Sequence, residues 1–235
     1  MKILLTSVTS ALGGMVAAEL GENHELRLTD RKMASVEGEY VVSAQGHDAS
    51  TNLLVRGMDA LVVVAEPLQD EAAADYLDAQ TRALYNLLMA AYEEGVTRVV
   101  YLSTLELMEA YGPEYIVTER WRPRPTTEPH LMGKHLGEYV CREFAREHKL
   151  SVIVLRLGKV VAAIDVAGQP VDAMWLEQKD LAGAIVGAVV ADLPQQWTVV
   201  HVQGKQAGAR FPVGDAEKLI GFTPAVDFTV PSHMH

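Results

Sequence analysis

The chain has 235 residues, 49% hydrophobic and 22% charged, a balance typical of a globular protein rather than of a disordered one. It carries 20 lysines and arginines against 31 aspartates and glutamates. The net charge of −11 therefore argues against binding to nucleic acid or to anionic lipid. A single cysteine excludes a disulfide scaffold within the chain.

The N-terminal stretch imitates a secretory signal, because a lysine is followed by apolar and alanine-rich residues. Thr6, Ser7, Thr9 and Ser10 interrupt the apolar run, so we expect a first strand and a first helix there instead. No segment reaches the roughly 18 uncharged apolar residues of a membrane-spanning helix. We therefore expect a cytoplasmic protein with no membrane partner.

Apolar runs alternate with helical stretches from the N-terminus to about residue 155. Strands are predicted at residues 2–5, 25–29, 40–43, 60–65, 98–102 and 151–155. Helices are predicted at residues 12–20, with Gly21 as C-cap, and at 52–56, 70–94 and 131–148. This alternation predicts an α/β fold with a Rossmann-type, doubly wound parallel sheet.

The regular alternation of strands and helices becomes less clear after Arg156. A helix is predicted at residues 179–190, a strand at 197–202 and a short helix at 215–220, and the tail at 232–235 is predicted to be unstructured. We assign residues 1–158 to a Rossmann core. Residues 159–235 are assigned to a reduced C-terminal lobe that forms one structural unit with that core.

The turn after the first strand is the first place where a parallel sheet of this kind binds a ligand. It reads Thr-Ser-Val-Thr-Ser-Ala-Leu-Gly over residues 6–13, which resembles the Thr-Gly-x-x-Gly-x-x-Gly turn of the short-chain dehydrogenase/reductase superfamily. Ser7 and Ser10 stand at the first two glycine positions, and Gly13 keeps the third. The resemblance implies a dinucleotide site formed by Thr6, Ser7, Thr9, Ser10, Ala11 and Leu12.

The two serines leave two interpretations of this turn open. A serine at positive φ costs on the order of 1 kcal/mol, and its hydroxymethyl group would crowd a phosphate. Its hydroxyl could equally donate a hydrogen bond to that phosphate. The turn therefore predicts either a dinucleotide site with altered geometry or an empty Rossmann turn.

Asp30 ends the second predicted strand, where a carboxylate would accept hydrogen bonds from ribose hydroxyls. Arg31 could instead meet the 2′-phosphate of NADP, but the carboxylate would repel it, so we expect NAD in preference to NADP. The alternative for Asp30 is a solvated loop acid. Asp48 is predicted either to approach the adenine or to cap a helix. Ala65, the last residue of the buried strand, is a further expected cofactor contact.

Residues 78–88 and 95–104 resemble the extended short-chain dehydrogenases, the epimerase/dehydratase group, and the likeness runs from residue 1 to about 190 and returns at 210–224. The resemblance implies that Thr104 is the substrate-facing hydroxyl. It implies that Lys134 binds the nicotinamide ribose and lowers the pKa of a tyrosine. Gln80 stands where the family has an asparagine of its proton relay.

That tyrosine is missing, because the family's Tyr-x-x-x-Lys reads His130-Leu131-Met132-Gly133-Lys134 here. An imidazole titrates near neutral pH, so His130 is a chemically reasonable relay. The alternative is that His130 is simply a partly exposed residue at the start of the long helix. Tyr111 and Tyr115 could replace the missing hydroxyl, or could simply pack the loop. The histidines do not have metal-ligand spacing, so no metal site is expected.

The segment after residue 158 is short, with about 20 residues before Asp180-Leu181-Ala182, so it leaves few residues to enclose a nucleotide sugar. Two hypotheses follow. The chain is either a divergent family member with weak or absent dehydrogenase chemistry that senses a nucleotide or binds a partner, or an active NAD-dependent oxidoreductase on a small sugar acid, polyol or carbonyl compound. The helices at 70–94 and 131–148 resemble those of the family's dimer interface, which predicts a homodimer.

Overall fold

The computed structural model describes residues 1–33, 39–206 and 208–228, so the predicted tail at 232–235 lies outside the described residues. Nine strands are assigned in these ranges: β1 (Lys2–Leu5), β2 (Glu25–Asp30), β3 (Val41–Val42), β4 (Ala60–Val64), β5 (Arg98–Thr104), β6 (Ser151–Leu157), β7 (Lys159–Val161), β8 (Trp175–Glu177) and β9 (Trp197–Val202). Seven of them form one parallel sheet in the order β3-β2-β1-β4-β5-β6-β9. This order confirms the predicted Rossmann-type class.

The helices are α1 (Ala11–Gly21), α2 (Ala49–Val55), α3 (Ala73–Asp78), α4 (Leu84–Glu93), α5 (Pro129–His148), α6 (Gln178–Val190) and α7 (Gly214–Ile220). A π-helical segment, Ala79–Ala83, joins α3 to α4, and a 3₁₀ turn, Leu105–Met108, follows β5. No helix of the described ranges combines the length and apolar character needed to cross a membrane.

The central strands are buried on both faces, which explains their nearly continuous apolar sequence. In β4, Leu61 and Val63 pack in the cluster that includes α2, α4 and α5. Val62 and Val64 pack in the opposite cluster, with α1, α6 and α7. Since helices cover both faces, the carboxyl ends of the strands are left as the place for a ligand.

Several predicted helix boundaries are wrong by a few residues. The helix expected from residue 70 begins at Ala73, because Asp70 has a left-handed φ of +57°, which a right-handed helix does not accommodate. Gly21 lies inside α1, and Glu22 is the C-cap. The second long helix begins two residues early, at Pro129, because the fixed φ of proline suits the first position of a helix.

The small parallel pair β7 and β8 was not predicted. Both strands have three residues, too few to show an alternating pattern, and β7 follows β6 after Gly158 alone. Beyond them the chain returns to the main sheet, where β9 pairs with β6. Residues after 158 thus complete the core sheet, and the division of the chain at that point stays a prediction.

The first turn brings β1 and α1 into close contact. Ser7 has a φ of +51°, so it adopts the conformation for which the family's glycine is suited. A Cβ atom on Gly13 would lie 2.1 Å from the carbonyl oxygen of Ser7. The third glycine is therefore retained because helix and turn pack against each other there.

We expect Gly13→Ala to lower the free energy of unfolding by about 2–3 kcal/mol, because the added methyl group has to push the backbone of the turn away. The neighbouring Gly14 has nothing within 4 Å of an added Cβ, so Gly14→Ala is the matched control. The control should be stabilised by about 0.5–1 kcal/mol through its helix propensity. Urea denaturation followed by circular dichroism measures both, and equal stability of the two variants would contradict this packing.

Candidate functional site

A crevice of about 310 Å³ lies at the carboxyl ends of the central strands, between the first turn and α5. This is the position at which open parallel sheets bind their ligands. Its walls are formed by Ser10, Ala11, Leu12, Met15, Glu66, Ser103, Thr104, Glu106, His130, Lys134, Leu157, Gly158, Lys159 and Val160. The crevice therefore brings together predicted residues from the first turn, the end of β5 and the start of α5.

Ser10 caps α1 and organises the first turn. Its hydroxyl donates to the carbonyl of Ser7 at 2.8 Å and accepts from the N–H of Gly13 at 3.0 Å. Within the described ranges, the backbone N–H groups of Ala11 and Leu12 have no acceptor. Because these groups lie at the positive end of the helix dipole, the turn can still accept an anion such as a pyrophosphate.

Other predicted residues of the nucleotide half are engaged in contacts inside the protein. The Thr6 hydroxyl accepts from the N–H of Val64 at 3.0 Å and joins β1 to β4. The carboxylate of Asp30 accepts from both the N–H and the hydroxyl of Thr9, at 3.0 and 2.6 Å, and from the N–H of Arg31 at 2.7 Å. Asp30 is only 1% exposed, so the interpretation as a solvated loop acid is wrong.

Arg31 is paired with Glu71 through two contacts, of 2.9 and 2.7 Å. This pairing neutralises the charge that could attract a 2′-phosphate. Asp48 caps α2 by accepting from the N–H groups of Ser50 and Thr51, so the capping role is the one that the structure shows. The carbonyl of Ala65 accepts from the Tyr76 hydroxyl at 2.9 Å, and Ala65 itself is buried.

Glu66 lines the crevice and connects Lys134 with His130. Sequence reasoning missed this residue. One carboxylate oxygen contacts Nζ of Lys134 at 2.6 Å, and the other lies 3.8 Å from Nε2 of His130. Burial acts to raise the pKa of Glu66, but the charge of Lys134 and the adjacent His130 outweigh it and lower that pKa to about 2. Glu66 therefore remains ionised and neutralises Lys134, which is itself 3% exposed.

Thr104 lines the same crevice, at the end of β5. Its hydroxyl accepts from the N–H of Glu106 and donates to the Glu106 carboxylate, both at 3.2 Å. Thr104, His130 and Lys134, the three predicted catalytic residues, thus share one crevice. As expected from its place in the chain, His130 is a partly exposed residue in the first turn of α5.

Three other predicted relay residues, Gln80, Tyr111 and Tyr115, lie outside the crevice. Gln80 is buried in the π-helical segment, where it accepts from the Tyr101 hydroxyl at 2.9 Å. Tyr111 donates to the carbonyl of Arg122 at 2.7 Å and packs edge-on against Trp121. Tyr115 also packs on that ring and is 47% exposed. The loop tyrosines therefore do not replace the missing hydroxyl in the crevice.

A buried ionic network supports the floor of the crevice. Glu138, one helical turn after Lys134, accepts from the Ser103 hydroxyl at 2.6 Å. The guanidinium of Arg156 holds the same carboxylate with two hydrogen bonds, of 3.0 and 2.8 Å. These contacts join β5, α5 and β6, so they position α5 against the ends of the strands.

Comparison with known proteins identifies the family of the chain. A protein-family sequence model described as "NAD dependent epimerase/dehydratase family" matches residues 3–201 of the chain. The chain belongs to that family. An L-arabinose 1-dehydrogenase (NAD(P)(+)) of Haloferax volcanii is 24% identical over 95% of this chain and 96% of its own length. A uronate dehydrogenase of Pseudomonas putida is 25% identical over 67% of this chain and 60% of its own.

Solved structures of two dehydrogenases share the fold of this chain. A uronate dehydrogenase of Agrobacterium tumefaciens, in a mutant form complexed with NAD, superposes with a TM-score of 0.81 at 20% identity. The superposition covers 97% of this chain and 85% of that protein. A glucuronic acid dehydrogenase of Chromohalobacter salexigens gives a TM-score of 0.81 at 21% identity, with the same coverage.

The carboxylate of Glu66 should make stability depend on pH. Since its folded pKa of about 2 lies below the ordinary 4.5, Glu66 stabilises the fold above pH 4.5 and loses this effect as the pH falls toward 2. We expect Glu66→Gln to cost at most about 3 kcal/mol at pH 7, and the difference from wild type to shrink between pH 5 and pH 3.

Urea denaturation at these three pH values measures the effect. Glu147→Gln is the control, because Glu147 is exposed at the end of α5 and its surface pair with Arg146 contributes little. A Glu66→Gln variant whose deficit stayed constant with pH would contradict the assigned ionisation of Glu66.

Proposed function

We propose that this chain is an NAD-dependent oxidoreductase that acts on a small sugar or sugar acid. The observation that carries the proposal is that the crevice holds an imidazole beside a carboxylate, a threonine hydroxyl and a buried lysine next to the open end of α1. The named activities of the relatives, sugar and uronate dehydrogenases, support this choice of substrate class.

The residues present fit the phosphate and nicotinamide parts of a dinucleotide. The free N–H groups of Ala11 and Leu12 would hold the pyrophosphate, and Lys134 would bind the ribose next to the nicotinamide. The pairing of Arg31 with Glu71 removes the free cation that NADP binding uses, so we propose NAD. Bound NAD would supply the hydride acceptor.

His130 would take the proton from the sugar hydroxyl. Its Nε2 faces Glu66, which favours the tautomer with the proton on that nitrogen. The other ring nitrogen, Nδ1, would then be the proton acceptor. The carboxylate of Glu66 would stabilise the imidazolium that forms, and Thr104 would donate to the reacting oxygen.

The short segment after β6 supports a small substrate. Only residues 158–177 separate β6 from α6, and they form the small pair β7 and β8 that closes one side. A nucleotide sugar would need walls that this segment does not build.

A second candidate function is nucleotide sensing or partner binding without hydride transfer. The 2.6 Å contact between Glu66 and Lys134 favours this second function. The carboxylate occupies the ammonium group that would otherwise donate to the ribose. The absence of the family's tyrosine points in the same direction. Hydride transfer to NAD separates the two functions.

We expect the wild-type protein to reduce NAD with at least one substrate of a panel of pentoses, hexoses and uronic acids. His130→Ala and Thr104→Ala should each lower kcat/KM by about 100-fold or more, the usual contribution of an acid–base group. His24→Ala, between α1 and β2 at the amino ends of the strands, should leave the rate unchanged.

Two results would contradict an oxidoreductase. If NAD binds but no substrate increases the absorbance of NADH, the second candidate function is supported. Full activity of His130→Ala would show that another group accepts the proton.

We also propose that the chain is a homodimer through the face formed by α4 and α5, the helices predicted at 70–94 and 131–148. Tyr85 and Tyr92 on α4 are 46% and 48% exposed, although they are large aromatic residues. They contact Phe144 and His148 of α5, so the aromatic side chains form one continuous face. Burying such a face is a common basis of stable association.

Light scattering at micromolar concentration should therefore give twice the mass of one chain. Tyr85→Glu combined with Tyr92→Glu places charges in the contact and should give the mass of a single chain with unchanged circular dichroism. A wild-type protein that scatters as a monomer would refute the dimer.

A further inference from the structure

A larger cavity, of about 480 Å³, lies outside the crevice, between α5 and the segment 119–123. Its floor includes Trp197 and Val199 of β9, the edge strand beside β6. The cavity is therefore on the flank of α5 that faces away from α4. The segment is held to this edge because Glu119 accepts from the backbone N–H of His201 at 3.2 Å.

The walls of this cavity are unusually basic for so acidic a chain. Four arginines and two glutamates line it, although the chain as a whole carries a net charge of −11. One arginine, Arg156, is neutralised by its two hydrogen bonds with Glu138. The other three, Arg120, Arg122 and Arg142, therefore face the cavity with one remaining carboxylate, Glu119.

These three arginines also lack partners. Within the described ranges, the guanidinium groups of Arg120, Arg122 and Arg142 have no hydrogen bond, ion pair or ring contact, whereas those of the other arginines have at least one. His135, on the same wall, has a buried Nδ1 with no hydrogen-bond partner. All the unpartnered arginines of the described chain thus surround one cavity.

Aromatic side chains complete the lining. Trp121 and Trp197 both face the cavity, and Tyr139 of α5 lies at its exposed rim. Guanidinium groups bind phosphate and carboxylate oxygens with paired hydrogen bonds, and indole rings pack on flat apolar groups. The volume is that of a site for a small molecule rather than of a surface for a macromolecule.

We propose that this cavity binds a small organic oxyanion, a phosphate ester or a carboxylate attached to a flat apolar ring. The site is separate from the dinucleotide crevice and does not depend on the proposed function. The two share one wall, since Glu138 lines the cavity and contacts Ser103, which lines the crevice. An experiment has to distinguish binding at one from binding at the other.

Calorimetric titration with phenyl phosphate, benzoate, inorganic phosphate and phenol tests the proposal. We expect phenyl phosphate, benzoate or both to bind saturably and to quench tryptophan fluorescence, because two of the three tryptophans line the cavity. Phenol lacks the oxyanion and inorganic phosphate lacks the ring, so each should bind at least about tenfold more weakly. The phosphate and carboxylate probes show which oxyanion is preferred.

Variants locate the site. Arg120→Gln combined with Arg142→Gln should weaken the binding of the ring oxyanion by about tenfold or more, through loss of two guanidinium groups. Arg146→Gln is the matched control, because Arg146 is one turn further along α5 and pairs with Glu143 and Glu147. NAD binding, measured on the same samples, should be equal in all variants.

Three results would overturn the proposal. The first is no saturable binding of either ring oxyanion up to about 10 mM. The second is equal affinity of phenol and phenyl phosphate. The third is unchanged affinity in the double variant, which would place the oxyanion at the end of α1 or elsewhere. A protein that fails to bind NAD but binds the ring oxyanion would leave this site intact and refute only the proposed function.

Discussion

The carboxylate of Glu66 is the constraint on which the candidate site depends. It follows the buried strand β4 by two residues and contacts Lys134, a lysine that is almost completely buried in α5. A buried ammonium group without a partner would cost several kcal/mol, so the first turns of α5 must lie against the end of β4. The same contact sets the electrostatics of the crevice, because it neutralises Lys134 and leaves an anion beside His130.

A second ionic group fixes the next turn of the same helix. Glu138 lies four residues after Lys134 and is held by Arg156 of β6 and Ser103 of β5. The backbone of α5 also comes very close to its neighbours, since a Cβ on Gly137 would lie 2.0 Å from the Tyr101 hydroxyl. Ion pairs at two turns and a close backbone approach together give α5 one position relative to the strand ends. Precise placement of this kind is what proton transfer requires.

The sequence predicted most of the fold because burial on both faces leaves a strong local pattern. The bounds of β1 and β9 agree with the structure to the residue, and the apolar run of β4 marks the centre of the sheet. Helix ends were less predictable. The left-handed conformation of Asp70, for example, depends on its surroundings in the folded protein, which the sequence alone does not show. The three-residue strands β7 and β8 are too short to carry a period.

The site was predictable only in part. The resemblance placed Thr104, His130 and Lys134 together, and the structure brings them into one crevice. Glu66 was missed, although a carboxylate directly after a buried strand lies at the ligand-binding edge of a parallel sheet and was a usable signal. The pairing of Glu138 with Arg156 gave no such signal, because side chains 18 residues apart meet only through the tertiary fold.

The proposed function requires that the crevice bind a dinucleotide despite serines at two glycine positions. Isothermal titration of the wild-type chain with NAD, NADH, NADP and NADPH tests this most directly. We predict saturable binding of NAD with one molecule per chain, competed by NADH and weaker for the 2′-phosphorylated forms. Absence of both heat and thermal stabilisation with all four dinucleotides would contradict it.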